Sequence, residues 1–337
     1  MEREIVLSGI RATGRLHLGN YMGALIRFAR MSLEEGLQCF FFVADMHTLT
    51  TLKEAKDIRS NMPEIILDYL AAGVDPNRSA IYVQSHIPQV AELMWYLSCL
   101  TPVSELLNQG AYKEKAAKAP EDNNTGLLSY PVLMAADILG PRANLVPVGR
   151  DQAAHLELAR DLARRFNNLS GESYFPIPDS LLQEMVQVPG LYMKDERGGF
   201  PKMGKSDDES HTIYITDTAE ATQEKIRVAP TDPKRVRRSD PGTPEDCAIY
   251  ALHQLVSTGK EIAEVAEGCR TAGIGCIECK EKLSGNVNVM LADFRERRSA
   301  LASNKRIVGE VLEVGRQAAA PRFDETLEVV RSTLGLR

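Results

Sequence analysis

Residues 4–20 read EIVLSGIRATGRLHLGN and begin the fold of the chain. The apolar run over 4–8 predicts a buried strand, the glycine-rich stretch over 9–19 predicts a loop, and the residues from Asn20 to Met31 predict a helix. Glycines let the backbone approach a phosphate, and the amides at the start of a helix favour an anion. His17 could add a hydrogen bond to a phosphate oxygen. For this segment alone, a strand–turn–helix without a ligand is the alternative.

The same alternation of short apolar runs and amphipathic stretches continues through the first half of the chain. Further strands are predicted at 38–44, 80–84 and 144–148, and helices at 53–72, 91–99 and 151–167. Such alternation is typical of βαβ units, so we expect an α/β fold with a Rossmann-type, doubly wound parallel sheet, whose ligands bind at the carboxyl ends of the strands. The pattern breaks after about Asp179, and from Glu245 onward helix formers predict a C-terminal helical domain.

The composition of the 337 residues is that of an ordinary globular protein, with 44% hydrophobic and 26% charged residues. It excludes a disordered, collagen-like or disulfide-scaffold chain. The longest apolar runs, such as 39–44, are far shorter than the roughly 20 residues of a membrane span, and the N-terminal residues show no signal-peptide pattern. We therefore expect a soluble, cytoplasmic protein without a membrane partner.

The net charge of −6 gives no overall basic surface for nucleic acid, so an RNA partner would need a local basic patch. A solvated charged face explains either of the two candidate segments equally well. The candidates are Lys113, Lys115 and Lys118 in one segment, and Lys234, Arg235, Arg237 and Arg238 in the other.

A second motif, PKMGKS at 201–206, lies in a loop flanked by glycine and proline. Lys202 and Lys205 can neutralise the charge that builds on a phosphate during phosphoryl or adenylyl transfer. Taken alone, two lysines on a loop are usually a solvated surface feature. The motif gains weight only in combination with the glycine-rich loop at 9–19.

The HLGN and KMGKS segments resemble the HIGH and KMSKS motifs of class I aminoacyl-tRNA synthetases. The runs YPVLMAADIL at 130–139 and NLVPVGRDQAAH at 144–155 are similar to those of bacterial tryptophanyl-tRNA synthetases. The resemblance covers the chain from about residue 4 and becomes weaker after Ser206. It implies ATP-dependent activation of L-tryptophan, transfer to tRNA(Trp), and a homodimer. It also implies a catalytic domain at 1–212 and an anticodon-binding helical domain at 213–337, whose last helix packs on the first domain.

Asp137 lies in an otherwise apolar run, where burial is costly unless its carboxylate meets a donor. The resemblance implies that this donor is the indole N–H of tryptophan, a contact that would reject phenylalanine. A capping or salt-bridged structural carboxylate is the alternative. Met134, Val146 and Val148 can supply apolar walls. By resemblance, Tyr130 and Gln152 hold the ammonium group of the amino acid, and His47 lines the pocket.

The resemblance also implies an ATP site with Mg²⁺ bound through the phosphates, in which His17, Lys202 and Lys205 carry the catalysis. Asp151 would bind the ribose, or it simply caps the following helix. The sequence departs from the family pattern at Arg11, His17 and Gly204, where many relatives have Gln, Thr and Ser. The other ATP-binding residues expected are Ala12, Thr13, Gly19, Asn20, Gly149, Arg150, Val188, Met203, Gly204, Ser206 and Arg11 itself.

Four cysteines are clustered in the predicted helical domain, at Cys247, Cys269, Cys276 and Cys279. Without a secretion signal, such clustering favours metal ligation over disulfides. Four thiolates suit an iron–sulfur cluster or a tetrahedral zinc. Some bacterial tryptophanyl-tRNA synthetases resemble this chain in carrying a [4Fe-4S] cluster at similarly spaced cysteines, so we expect that cluster. Structural zinc and unligated buried thiols are the alternatives.

Three other functions fit part of the pattern. A tyrosyl-tRNA synthetase would need a Tyr/Asp pair for the phenol, which the apolar surroundings of Asp137 do not favour. A small-metabolite adenylyltransferase would not need the KMGKS loop or the cysteine-bearing region. A non-enzymatic, synthetase-like RNA-binding or redox-sensing protein would not need intact catalytic motifs.

Overall fold

The computed structural model describes residues 3–51, 54–118, 123–149, 152–181, 186–196, 198–204 and 208–336, except for the side chains of Lys115 and Lys118. The chain forms two compact units. Unit 1 comprises 1–13, 28–185 and 304–337, and unit 2 comprises 14–27 and 186–303. They do not coincide with the ranges 1–212 and 213–337 that the sequence suggests as functional domains. A functional division at that boundary stays a prediction.

Unit 1 is built on a parallel sheet of five strands in the order β3-β2-β1-β4-β5. This order confirms the predicted Rossmann-type sheet, in which the strand order reverses beside β1. Strands β1 to β3 are the long ones and are mostly buried, β3 wholly so, as is typical of parallel strands covered on both faces. The strands are β1 (Glu4–Ile10), β2 (Leu37–Val43), β3 (Ser79–Val83), β4 (Leu145–Val146) and β5 (Asp179–Ser180).

Helices surround this sheet, and the aromatic side chains between them are closely packed. Phe28 stacks on Phe41 of β2 with ring centroids 4.4 Å apart, and the ring of Tyr69 meets Phe28 edge-on. The helices are α2 (Ile26–Leu33), α3 (Asp45–Thr48), α4 (Ala55–Ala72), α5 (Gln89–Cys99), α6 (Val103–Leu107), α7 (Gly110–Lys118), α8 (Thr125–Leu139), α9 (Ala153–Ser170) and α14 (Ile307–Thr333), with a 3₁₀ turn at Gln84–His86.

The last helix, α14, lies against β3 at the edge of the sheet and approaches it unusually closely. A Cβ atom at Gly315 would stand 1.8 Å from the carbonyl oxygen of Ile81, so only glycine fits there. Farther along, Phe323 occupies the space that a side chain at Gly140 would need, and Thr326 donates a hydrogen bond to the Gly140 carbonyl (2.6 Å). The final helix therefore completes the core of unit 1.

Unit 2 is mainly helical, in agreement with the helix formers after Glu245. Its elements are α1 (Leu18–Asn20), a π-helical turn at Tyr21–Leu25, α10 (Ala219–Val228), α11 (Ala248–Val256), α12 (Gly259–Arg270) and α13 (Cys276–Ser303), with 3₁₀ turns at Glu209–His211 and Pro244–Asp246. Leu252, Leu283, Val287 and Leu291 form part of its buried core. Among the described residues of both units, no helix combines the length and apolar character that a membrane span requires.

The structure differs from the sequence predictions at several elements. The helix predicted over 20–31 begins earlier and contains the π-helical turn before α2. The strand predicted over 144–148 shortens to Leu145–Val146, because Pro147 has no N–H with which to continue the ladder. The sequence did not predict β5, whose two residues are too few to show a periodicity.

Candidate active site

The residues that follow β1 in unit 1 are held by α3 and α4. The Ala12 N–H donates to Thr48 Oγ1 (2.9 Å), and the Ala12 carbonyl accepts from Asn61 Nδ2 (3.0 Å). The Arg11 guanidinium donates to the hydroxyl of Thr51, and burial lowers the pKa of Arg11. Backbone and side chain are therefore both fixed at the carboxyl end of the central strand.

Asp137 on α8 is 2% exposed and is the centre of a polar cluster in unit 1. His47 Nε2 donates to Asp137 Oδ2 (2.9 Å), and Gln84 Nε2 lies 2.8 and 2.9 Å from the two carboxylate oxygens. His47 lies on α3 just after β2, and Gln84 follows β3 directly. The carboxyl ends of two strands thus supply the donors that the buried carboxylate needs.

Burial raises the pKa of Asp137, and the hydrogen bond from His47 acts in the opposite direction. The charge of this carboxylate also contributes to the raised pKa of Tyr82, whose main cause is complete burial. Asp137 is thus an acceptor in a low-dielectric environment, where a hydrogen bond to a ligand gains strength and an unpaired polar group is costly.

A second polar group adjoins the first. His155 on α9 is fully buried, with Nε2 3.0 Å from Tyr130 Oη and Nδ1 2.9 Å from Gln152 Oε1. The ring of His47 meets Tyr130 edge-on at 6.3 Å, on the way to Asp137. Tyr130, Gln152, His47 and Asp137, which were predicted to share a pocket, are therefore linked by direct contacts in which His155 takes part.

The apolar residues predicted for the same pocket lie in the core around this cluster. Val146 is 3% exposed in β4, and Met134 and Val148 are half-buried against the core. The Gly149 carbonyl accepts from the Gln152 N–H (2.9 Å) and so helps to begin α9. Arg150 and Asp151 lie outside the described residues, and their roles stay predictions.

In unit 2, the HLGN segment forms a compact turn. Asn20 Oδ1 accepts from the backbone N–H of His17 (3.1 Å), and the His17 side chain caps α1 in return. A Cβ atom on Gly19 would come within 2.9 Å of the His17 ring, so a side chain there would have to displace that ring. The Leu18 N–H donates to the Ile213 carbonyl oxygen (2.9 Å), and this hydrogen bond attaches the turn to a neighbouring extended segment.

Buried charges reinforce that segment. Asp217 accepts from Lys225 Nζ (2.8 Å) and from Arg15 Nη2 (2.7 Å). The two cations also lie over the ring of Tyr214, at 4.3 Å for Arg15 and 4.6 Å for Lys225. Because Arg15 lies two residues before His17, this cluster fixes the approach to the HLGN turn.

The second motif begins in a hairpin of unit 2. Pro189 pairs with Lys202, and the Met203 N–H donates to the Val188 carbonyl (2.9 Å). Val188 and Met203 are each 1% exposed, whereas the Lys202 side chain is exposed. The Gly204 carbonyl accepts from Thr212 Oγ1 (3.2 Å). Lys205 and Ser206 lie outside the described residues.

The four clustered cysteines of unit 2 line one cavity, together with Asp232 and Arg235 among other residues. Burial raises the pKa of Cys279 to about 12, and the other three cysteine thiols add to that rise. The Arg235 guanidinium donates to Cys269 Sγ at 3.9 Å. Within the described ranges, no three His, Cys, Asp or Glu side chains are grouped closely enough to hold a metal ion.

The sequence analysis assigned no role to Gln84, His155 or Lys225. A polar residue directly after a buried strand could have indicated Gln84, since ligands of parallel sheets bind there. The spacing of Gln152 and His155, three residues apart on one helix face, could have indicated that these two side chains interact. Nothing in the sequence indicates that Lys225 pairs with Asp217.

Residues 1–292 match the family model for class I tRNA synthetases of the tryptophan and tyrosine group. The chain is 39% identical to the tryptophan–tRNA ligase of Deinococcus radiodurans over 98% of both chains. It is 40% identical to that of Thermotoga maritima over 98% of this chain and 99% of the relative. The structure of tryptophanyl-tRNA synthetase from Campylobacter jejuni, complexed with ADP and tryptophan, superposes with a TM-score of 0.85 at 32% identity, covering 98% of this chain and 100% of that one.

Proposed function

Because the chain belongs to the class I tRNA synthetases of the tryptophan and tyrosine group, we propose that it is a tryptophan–tRNA ligase that activates L-tryptophan with ATP and transfers it to tRNA(Trp). The observation that carries the proposal is the near full-length identity of 39–40% to two tryptophan–tRNA ligases. The polar cluster around Asp137 supports it independently, since a buried acceptor is what an indole N–H requires.

The reaction has two steps. An oxygen of the tryptophan carboxylate attacks the α-phosphorus of ATP, the bond to the pyrophosphate oxygen breaks, and tryptophanyl-adenylate forms. A ribose hydroxyl at the 3′ end of the tRNA then attacks the carbonyl carbon, and AMP leaves. Neither step needs a side-chain nucleophile, so the protein acts by positioning its substrates and stabilising charge.

Asp137 can accept the indole N–H even though it already has two partners in the chain. Its two oxygens offer about four acceptor positions. Oδ2 receives His47 and Gln84, whereas Oδ1 receives only Gln84. We assign the indole N–H to Oδ1. Phenylalanine has no such N–H and would leave this acceptor unpaired, which is the physical basis of the expected selectivity.

Residues of the HLGN and KMGKS motifs bind ATP in this proposal. His17, Lys202 and Lys205 bind the phosphates and stabilise the charge that develops as pyrophosphate leaves. Asp151 binds the ribose and Val188 contacts the adenine. Mg²⁺ enters with ATP and is held mainly by phosphate oxygens. The remaining contacts come from the backbone and side chains of Arg11, Ala12, Thr13, Gly19, Asn20, Gly149, Arg150, Met203, Gly204 and Ser206.

We assign the four-cysteine cavity to a [4Fe-4S] cluster. Four thiols line this cavity, although no three potential ligands among the described residues stand close enough to hold a single metal ion. Four thiolates suit such a cluster as well as a tetrahedral zinc, and the similar spacing of the cysteines in cluster-bearing relatives favours the cluster. When bound, the cluster would order α12 and the start of α13, which carry Cys269, Cys276 and Cys279.

Two further parts of the proposal concern assembly and RNA. Trp95 on α5 is 67% exposed, and Val103 and Leu107 on the next helix are also exposed, so these apolar residues of unit 1 are candidates for a homodimer contact. For the tRNA, Arg237 and Arg238 offer exposed cations, whereas Arg235 is engaged with backbone carbonyls. Cytoplasmic location stays a prediction.

The central experiment is ATP–pyrophosphate exchange by anaerobically purified protein, with tryptophan, tyrosine and phenylalanine compared. We expect exchange with tryptophan only. Lys202→Ala should lower kcat by at least tenfold, whereas Lys260→Ala, at a lysine that is 86% exposed on α12, should leave it unchanged. Exchange with tyrosine instead would identify a tyrosyl enzyme. No exchange from folded protein would favour the non-enzymatic, RNA-binding alternative.

The metal content and the dimer need separate measurements. Iron, sulfide and zinc are determined on the same sample, and Cys276→Ser should abolish a brown absorbance that Cys99→Ser, at an exposed cysteine on α5, retains. Zinc without iron would replace the cluster in this proposal. Trp95→Glu should convert a dimer to a monomer in analytical ultracentrifugation, and a wild-type monomer would contradict the dimer.

A further inference from the structure

The side chain of Gln84 is enclosed between the buried carboxylate of Asp137 and the segment that follows β2. Gln84 has no exposed surface. Its Nε2 atom lies 2.8 Å from Asp137 Oδ1 and 2.9 Å from Oδ2, and its Oε1 atom accepts a long hydrogen bond from the backbone N–H of His47 (3.4 Å). Both ends of the carboxamide are therefore engaged.

These contacts define which way the carboxamide of Gln84 points. A backbone N–H can only donate, so His47 requires the oxygen, and a carboxylate can only accept, so Asp137 requires the NH₂ group. The reversed carboxamide would set two donors against each other at His47 and two acceptors against each other at Asp137. The neighbouring groups of the chain thus fix the orientation of Gln84 in the absence of a ligand.

The backbone that carries Gln84 is also held in place. Asp45 Oδ1, directly after β2, accepts from the Ser85 N–H (3.0 Å). The Gln84 carbonyl accepts from the Ile87 N–H (3.0 Å) in the 3₁₀ turn that follows β3. Because the side chain is held at its base and at both ends of its amide, Gln84 is a preorganised donor for Asp137.

The contact from Gln84 complements the contact from His47. His47 Nε2 reaches only Oδ2 of Asp137 (2.9 Å), and one contact alone would let the carboxylate turn about its Cβ–Cγ bond. Gln84 reaches both oxygens at nearly equal distances, which fixes the plane of the carboxylate and the direction of its acceptor positions. Burial raises the pKa of Asp137, and the hydrogen bonds from His47 and Gln84 oppose that rise by favouring the charged acceptor.

We propose that Gln84 is a positioning residue for amino-acid selection: it holds the Asp137 carboxylate in the orientation in which Oδ1 accepts the indole N–H of tryptophan. This inference rests on the proposed function. Gln84 exposes no surface to a ligand, so it acts through Asp137 and does not touch the substrate. Its contribution is to the preference for a ring that carries an N–H over a ring of similar shape that lacks one.

The test isolates the indole N–H from the rest of the ligand. Tryptophan and 3-(3-benzothienyl)-L-alanine, in which sulfur replaces that N–H, are titrated calorimetrically into the wild type and into Gln84→Met, which keeps the side-chain length but loses both hydrogen bonds. The wild type should bind tryptophan at least tenfold more tightly than the analogue. In Gln84→Met, tryptophan affinity should fall about tenfold, the lower end of the range for a hydrogen bond to a charged group, and analogue affinity should stay within twofold. In pyrophosphate exchange, KM for tryptophan should rise while KM for ATP is unchanged.

Further variants distinguish positioning from general support of the fold. Gln89→Met makes the same replacement on α5, where the Gln89 amide donates to Asp324 at the surface (2.7 Å), and it should leave both affinities unchanged. Gln84→Asn is one methylene too short to reach both partners, so it should lose part of the preference for tryptophan. In the Asp137→Asn background, Gln84→Met should not lower that preference further, because the acceptor that Gln84 orients is already absent.

The outcomes are distinct. Equal losses for both ligands in Gln84→Met and Gln84→Asn, or an unchanged preference in both, would overturn the positioning role; if Gln84→Met does not fold, Gln84→Asn alone decides. A wild type that binds both ligands equally would also overturn this role, while tryptophan-dependent exchange would still support the proposed function. If the wild type neither binds tryptophan nor catalyses tryptophan-dependent exchange, the proposed function fails, and the role of Gln84 fails with it.

Discussion

Replacing Gly315 by alanine tests how closely α14 must approach the sheet. The added Cβ would stand 1.8 Å from the carbonyl oxygen of Ile81 and 2.5 Å from its carbonyl carbon. Non-bonded heavy atoms normally stay about 3.5 Å apart, so the helix must move away by roughly 1.7 Å. The obstructing atoms belong to the backbone of a central part of β3. No side-chain rotation can therefore relieve the clash.

The expected cost follows from what α14 buries. Overpacking a well-packed contact usually costs about 1–3 kcal/mol, and a clash with backbone belongs at the upper end of that range. A shift of α14 also loosens Phe323 and Leu327, which are 1% and 2% exposed. The better helix propensity of alanine offsets about 1 kcal/mol. We expect Gly315→Ala to lower the free energy of unfolding by about 2 kcal/mol or more.

Urea unfolding followed by circular dichroism measures this change, and hydrogen exchange of α14 locates it. The matched control is Gly309→Ala in the same helix, where nothing lies within 4 Å of the added Cβ. That variant should be as stable as the wild type or gain up to about 1 kcal/mol from helix propensity. A Gly315→Ala variant as stable as Gly309→Ala would refute the close approach.

Three further changes test the interior of the two units. Burial raises the pKa of Asp137 above its usual 3.8. Above that pH the unfolded chain loses the carboxyl proton more readily than the native state does, so ionisation of Asp137 lowers the free energy of unfolding as pH rises. Asp137→Asn should weaken tryptophan binding at least tenfold. At pH 7 this variant should nevertheless unfold at a higher urea concentration than the wild type, and the difference should shrink toward pH 4. Equal destabilisation of the variant at both pH values would contradict this reasoning. Lys225→Met should cost about 3 kcal/mol in urea unfolding, because Asp217 is left with a half-exposed partner, whereas Lys260→Met should cost under about 0.5 kcal/mol. Tyr82→Phe should be neutral or stabilising, since its buried hydroxyl has no hydrogen-bond partner among the described residues; a loss above about 1 kcal/mol would indicate a partner.

The sheet could be predicted from the sequence because each long strand carries its own apolar run and is followed by a helix. The runs at 4–8, 38–44 and 80–84 all coincide with strands, apart from shifts of a residue or two at their ends. β5 could not be predicted, since its two residues contain no pattern. A pattern of apolar residues predicts an element only when the element is long enough for that pattern to repeat.

The sequence predicted that the site contains a buried carboxylate, but it did not predict which side chains donate to that carboxylate. A carboxylate in an apolar run must meet donors, and Asp137 does. Its donors Gln84 and His47 lie 53 and 90 residues away in the chain, so only the folded sheet brings them to it. Apart from its spacing from Gln152, His155 gave no signal, because a histidine at the start of an amphipathic helix is compatible with solvent, core or ligand.

The exposed position of Trp95 has a consequence for how the cell makes this protein. It is the only tryptophan in 337 residues, and phenylalanine and tyrosine rings supply the large aromatic groups of the core. Translating one copy thus consumes a single charged tRNA(Trp), the product this ligase makes. During tryptophan starvation, ribosomes meet a single tryptophan codon in the messenger RNA of this protein. Because that position is exposed, an amino acid misincorporated there leaves the interior packing intact. Each copy of the enzyme therefore draws on its own product at one codon only.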